Sequence, residues 1–137
     1  MRTESLKLLI QAGNPILSME TPDEPRAVRT VHEAAALLAL PVTEWSVTTG
    51  LTTTSPAAQQ TLVEPGKAAA ALKYVSQCSY PAVYLFKDLG PHCKDPQVVR
   101  LIRDLYFSPD SRLWTLILLD PIGLPPDVRR LTVPFDV

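Results

Sequence analysis

At 137 residues the chain has the size of one domain, and with 46% hydrophobic against 20% charged residues it carries enough apolar side chains for a core, which argues against disorder. Its formal net charge of −1, with the basic residues scattered rather than striped, gives no electrostatic reason to expect nucleic acid or an anionic membrane as partner. No apolar run approaches the roughly 18 residues of a membrane span, so a cytoplasmic protein is the expectation.

Thr3 to Ala12 places Leu6, Leu9 and Ile10 at helical spacing, and Gly13-Asn14 supplies a left-handed stop, which predicts a short N-terminal helix. Pro15 to Glu20 then reads as the first strand. Thr21-Pro22-Asp23-Glu24 offers a cap, a proline at the first helical position and a glutamate three residues after the threonine, the pattern of a capping box. The helix it opens runs to about Leu40, with Val28, Val31, Ala35 and Leu38 on one face, and Pro41 ends it. Val42 to Val47 alternates and is the least apolar of the strand-like runs, which suits an edge. Gly50 to Glu64 is rich in Thr, Ser, Ala and Gln without a period and reads as a mobile surface loop.

Pro65 to Cys78 is an alanine-rich helix whose Ala68, Leu72 and Val75 form a narrow face. Ala82 to Phe86 follows, a short and almost wholly apolar run closed by Lys-Asp-Leu-Gly-Pro-His, and reads as a buried strand. Asp95-Pro96 caps the next amphipathic helix, with Val98, Leu101, Ile102 and Leu105 inward and Arg100 and Asp104 paired outward. Leu113 to Leu119 is a second buried strand. After a Pro-rich connection with one helical turn at Pro126 to Arg129, Leu131 to Phe135 makes the last strand, and Pro134 confines it to an edge. Strands alternating with helices predict a three-layer α/β/α domain around a mainly parallel five-stranded sheet, spanning residues 1–137 as one unit.

Five strands of which the first, third and fourth are buried and the others lie at edges fit the RecA-like core of AAA ATPases, strand order 5-1-4-3-2. Leu6-Lys7-Leu8-Leu9-Ile10, Trp45-Ser46-Val47-Thr48-Thr49-Gly50-Leu51, Phe86-Lys87-Asp88-Leu89 with Pro91-His92, and the Leu119 to Pro126 segment also resemble, in the same order, the N-terminal degenerate AAA domain of a bacterial and chloroplast family of AAA ATPases. The resemblance implies a domain that in its relatives is followed by a second, intact AAA domain. ATPase activity carried by that second domain is not expected of the segment read here.

A phosphate loop after the first strand needs small residues with converging N–H groups, a lysine, and a Ser or Thr for magnesium. The residues there are Glu20-Thr21-Pro22-Asp23-Glu24-Pro25, with no glycine or lysine, two prolines and three carboxylates. Gly66-Lys67, the one Gly-Lys pair, has Ala68 where the hydroxyl belongs and reads as a chance dipeptide. Asp88 stands near a Walker-B position but one residue late, behind Lys87 and without an acidic neighbour. Asp120 lies where a polar sensor would be and is read as a turn cap.

Cys78 and Cys93 flank a strand that rises about 3.3 Å per residue, which puts them beyond disulfide reach and makes free thiols the expectation. With His32 and His92 they lack the spacing of a zinc site, and neither a metal nor a cofactor is expected. No residue is assigned a catalytic role. The reading is a binding or scaffold module that docks on itself or on a separate intact AAA ATPase, through the exposed edge at Val42, Glu44, Trp45 and Val47 and a basic pair at Arg129 and Arg130. The alternative is a small α/β enzyme or nucleotide sensor that uses Asp88, His92 and Asp120 in a cleft at the carboxyl ends of the strands.

Overall fold

In a computed structural model, which describes residues 2–55 and 58–137, helices cover both faces of one twisted sheet. The elements in chain order are α1 (Arg2–Gln11), β1 (Ile16–Glu20), α2 (Glu24–Leu37), β2 (Val42–Ser46), β3 (Gly50–Thr53), β4 (Thr61–Val63), α3 (Ala68–Ser76), β5 (Ala82–Lys87), α4 (Pro96–Phe107), β6 (Trp114–Asp120), α5 (Pro126–Arg129) and β7 (Val133–Pro134). A 3-10 turn over Gly90–Lys94 links β5 to α4. The sheet order is β4-β3-β2-β5-β6-β1-β7.

The five anticipated strands are β7, β1, β6, β5 and β2, and they lie side by side in that order with parallel pairing. The sheet nevertheless has seven strands and is mixed, because β3 runs antiparallel to β2 and β4 antiparallel to β3. The five-stranded expectation is corrected accordingly. Much of the stretch taken for a mobile loop forms this hairpin; its residues 56 and 57 lie outside the described ones. Its threonines are β-branched, a composition that suits a pleated, half-buried surface as well as a loop. Gly50 makes the turn: its φ is +73°, and a Cβ there would run into the Val63 carbonyl oxygen.

Alternation along the strands splits the core into two layers. Leu17, Met19, Val83, Leu85, Ile117 and Leu119 face α1 and α2, where Leu6, Ile10, Ala27, Val31, Ala34 and Ala35 are buried. Ile16, Trp45, Tyr84, Phe86, Leu116 and Leu118 face α3, α4 and α5, against Ala71, Leu72, Val75, Val98, Ile102, Leu105 and Val128. The alanine stripes of α2 and α3 let these helices sit close to the sheet.

Helix boundaries follow capping chemistry. α4 starts at Asp95, whose carboxylate accepts the Gln97 N–H at 2.9 Å, as the sequence predicts. α2 starts later than its capping-box pattern predicts: Asp23, not Thr21, is the cap and accepts from the Arg26 N–H at 3.3 Å. Thr21 Oγ1 instead accepts the Asp23 N–H.

Candidate functional site

β1, β5 and β6 all end at the same rim of the sheet, so the polar residues at their carboxyl ends come together there. Between the turn after β5 and the connection after β6 lies a cleft of about 570 Å³, lined by Asp88, Gly90 and Pro91 on one side and by Asp120 and residues 121–125 on the other. Most of its lining is proline, glycine, isoleucine and leucine. Ile122 stands on its rim with 77% of its surface exposed.

Asp120 closes the floor. It is only 4% exposed, and its Oδ1 accepts the Gly90 N–H at 3.1 Å, while Oδ2 is buried with no hydrogen-bond partner among the described residues. Burial pushes its carboxyl up to about 6 from 3.8; the Gly90 N–H opposes this and the charge of Asp88 adds to it. The close approach needs glycine, because a Cβ on residue 90 would fall 2.9 Å from Oδ1. Asp88 is exposed and holds a left-handed φ of +59°, a conformation aspartate tolerates better than most residues. Its backbone N–H reaches across to the Leu119 carbonyl at 2.9 Å and ties the turn to β6.

Of the three cleft candidates, the structure therefore brings Asp88 and Asp120 together and separates His92. His92 lies on the 3-10 turn with its ring edge on Trp45, centroids 5.4 Å apart, and borders a different cavity of about 560 Å³ between the starts of α3 and α4. Cys93, beside it, donates to the Leu89 carbonyl, and burial with the nearby charges of Asp120 and Asp127 pushes its thiol up to about 11, which leaves it a poor nucleophile.

The interaction edge proposed at Val42, Glu44, Trp45 and Val47 is corrected. β2 is paired on both sides, to β5 and β3, so its backbone groups are already used. Trp45 is fully buried and stacks on Phe86 at 5.3 Å; Val42 is buried, and Val47 lies beyond the strand end. Glu44 holds an internal cluster, with Oε1 2.7 Å from Lys87 Nζ and Oε2 bonded to His32 Nε2. Burial acts to raise the Glu44 carboxyl, but the hydrogen bonds and charges of Lys87 and His32 together outweigh it and hold the group below its ordinary value. The free edges of the sheet are β4 and β7.

Arg129 and Arg130 are both exposed, and Arg129 is engaged as well: its Nη2 donates to the Leu124 carbonyl at 3.0 Å at the wall of the cleft. Sequence reading passed over Gly90, Ile122 and the His32–Glu44–Lys87 cluster. A glycine between the strand-end Asp88-Leu89 and Pro91 was the one local sign of a close approach.

Where a phosphate loop would follow β1, only Thr21, Pro22 and Asp23 separate the strand from α2. The Thr21 N–H is bound to the Asp120 carbonyl at 3.0 Å, and the first turn of α2 is capped by its own Asp23 carboxylate. Gly66-Lys67 does precede a helix, α3, but it follows the antiparallel β4 and not β1. Among the described residues no three His, Cys, Asp or Glu side chains gather as a metal site, and no helix is long and apolar enough to cross a membrane.

Residues 2–137 match the family model of the N-terminal domain of SpoVK-like AAA ATPases. The chain belongs to that family. No curated protein sequence matches it. Among solved structures, a DNA polymerase III gamma subunit-related protein from Thermotoga maritima MSB8 superposes with a TM-score of 0.58 at 12% identity, over 100% of this chain and 46% of that one. At such identity the likeness concerns the fold alone, and the AAA-like domain described here spans less than half of that chain.

Proposed function

We propose that this AAA-like domain is a non-catalytic binding module of the cytoplasm whose partner is another protein, either a second copy or an intact AAA ATPase. One observation carries the reading: the three-residue connection between β1 and α2, in which Asp23 occupies the helix start that a phosphate would need. A carboxylate cap there repels the ligand and uses the N–H group that would bind it. Asp88 adds to this, exposed on a turn after β5 with Lys87 drawn away to Glu44 on the other face of the sheet.

The test is a thermal-shift titration with ATP and ADP in the presence of magnesium. A ligand that prefers the folded state raises stability by RT ln(1 + [L]/Kd), about 1.4 kcal/mol at ten times Kd. No rise at millimolar nucleotide is the expected result. A magnesium-dependent rise abolished by Asp88→Asn would overturn the proposal.

A second reading, a small α/β enzyme or nucleotide sensor, is favoured by the buried, half-satisfied Asp120 at the floor of the cleft, since perturbed carboxyls gather at functional sites. His92 lies in the other cavity and Cys93 is held protonated, so the base this reading leaves beside Asp120 is the exposed Asp88.

A further inference from the structure

We propose that the cleft between Gly90-Pro91 and residues 121–125 receives a lysine or arginine side chain of a partner protein, flanked by an apolar neighbour. The inference rests on the binding-module reading and names the chemistry of its partner.

Two independent features point to this occupant. Asp120 lines the cleft and is 96% withdrawn from solvent, yet Oδ2 has no donor among the described residues, and a buried carboxylate oxygen left unpaired costs free energy that a donor from outside would recover once the carboxyl turns to meet it. The Gly90 N–H satisfies only one of its two oxygens. The charge around the cleft is mainly negative: Asp88 lies on the same lining and Asp127 is close enough to act on the neighbouring Cys93. A smaller cavity of about 130 Å³ beyond residues 122–124 shares Asp120 and adds Glu20 and Asp136. Arg129, the cation at this wall, is held by the Leu124 carbonyl. Carboxylates outnumber this one cation around the cleft, so a cationic donor is what they favour.

The remainder of the lining asks for hydrocarbon. Pro91, Pro121, Leu124 and Pro125 offer no side-chain hydrogen-bonding group, and Ile122 stands exposed at the mouth. A basic side chain meets both demands, because its methylene stem lies along apolar surface while its head pairs with the acid. An isoleucine or leucine next to it in the partner would cover Ile122. The exposed rim favours a side chain presented by a protein surface over a free amine, which would leave Ile122 in water.

The experiment uses the full 15N-labelled chain titrated with acetyl-Ile-Arg-Leu-amide, with the same peptide carrying citrulline, and with benzylammonium. The expected result is a saturable movement of the Gly90, Ile122 and Gly123 amide signals with the arginine peptide, at least tenfold tighter than with citrulline. Asp120→Asn should remove that tenfold preference, and Asp88→Asn, an exposed change that leaves the core untouched, should reduce it. Equal binding of arginine and citrulline peptides, no binding at millimolar peptide, or benzylammonium binding as tightly as the peptide would each overturn the inference. Adding ATP and magnesium separates this from the broader reading: a nucleotide that moves the same signals sinks the binding-module proposal itself, whereas silence towards both nucleotide and peptide sinks only the basic-side-chain occupant.

Discussion

Glu44 and Asp120 are both carboxylates withdrawn from water in the same sheet, and they sit in opposite electrostatic situations. Glu44, on the α1 and α2 side, has each oxygen bonded to a cationic or potentially cationic side chain, Lys87 and His32. Asp120, at the floor of the cleft, has one oxygen on a backbone N–H and the other unpaired among the described residues. Burial works to raise both groups, yet Glu44 ends below its ordinary value and Asp120 above it, so partners and not depth decide the direction. The comparison separates a carboxylate that holds the fold together from one that strains it.

The largest effect expected from breaking this contrast comes from Glu44→Ala. It removes two short hydrogen bonds and leaves Lys87, 22% exposed, without its counter-charge. A loss of about 2–3 kcal/mol follows from the worth of charge-assisted bonds and the penalty of a partly buried unpaired charge. Chemical denaturation measures it, and a loss under about 0.5 kcal/mol would mean the cluster is a solvated surface pair.

Asp120→Asn should act in the opposite direction, with a gain of about 1 kcal/mol at pH 7.5, because the amide keeps an acceptor for Gly90 without a buried charge. The pH dependence follows from the same carboxyl. Its folded value of about 6 lies above the ordinary 3.8, so between these two the native state holds a proton that the unfolded chain has lost. The contribution is full below about 4 and gone above about 6, which lowers stability by up to about 3 kcal/mol as pH rises across that window. Glu44 behaves inversely: its contribution is present above 4.5 and lost as pH falls through its lowered native value. Thermal melts from pH 4 to 7 on both proteins check this. An Asn variant that keeps the downward slope would remove Asp120 as its source.

Gly90→Ala sharpens the contrast by pushing Asp120 away from the Gly90 N–H, its side chain's partner among the described residues. A methyl group 2.9 Å from Oδ1 must displace the carboxylate or the turn, at a cost of about 1–2 kcal/mol. The hydrogen bond from the Gly90 N–H is what lowers the Asp120 carboxyl, so stretching or breaking it should move the titration of that group, followed by carboxyl-carbon NMR, further upward. A downward move would contradict the assignment of its cause.

How far the sequence reveals this arrangement depends on the range of the interactions that create it. The five parallel strands were legible because apolar runs at Ala82 and Leu113 and the alternation at Val42 are local patterns, and the caps at Asp95 and the stop at Gly13 are chemistry within one turn. The β3–β4 hairpin was not, because threonines at half-buried positions carry the same letters as a loop. Missing it made β2 an edge with free backbone groups, when β2 is paired on both sides and Trp45 is fully buried. For the cleft, position after a strand was enough to find Asp88 and Asp120. It was not enough to place His92, whose orientation is set by the 3-10 turn and by Trp45, or to see that Glu44 meets Lys87 across two strands.

The smallest effect tests whether the two partners of Glu44 are equal. His32 is more exposed than Lys87, 36% against 22%, and sits on α2. Lys87 is anchored in β5 beside the β2 strand that carries Glu44. His32→Asn should therefore cost about 0.5 kcal/mol, near the value of an exposed pair, because Glu44 keeps its bond to Lys87 and water reaches the vacated oxygen. Lys87→Met should cost about 1–2 kcal/mol, since it leaves the Glu44 carboxylate with His32 as its side-chain donor among the described residues. A double-mutant cycle reads the coupling between them. Equal costs for the two single variants would make His32 a full partner, and the paired state of Glu44 would then depend on α2 as much as on the sheet.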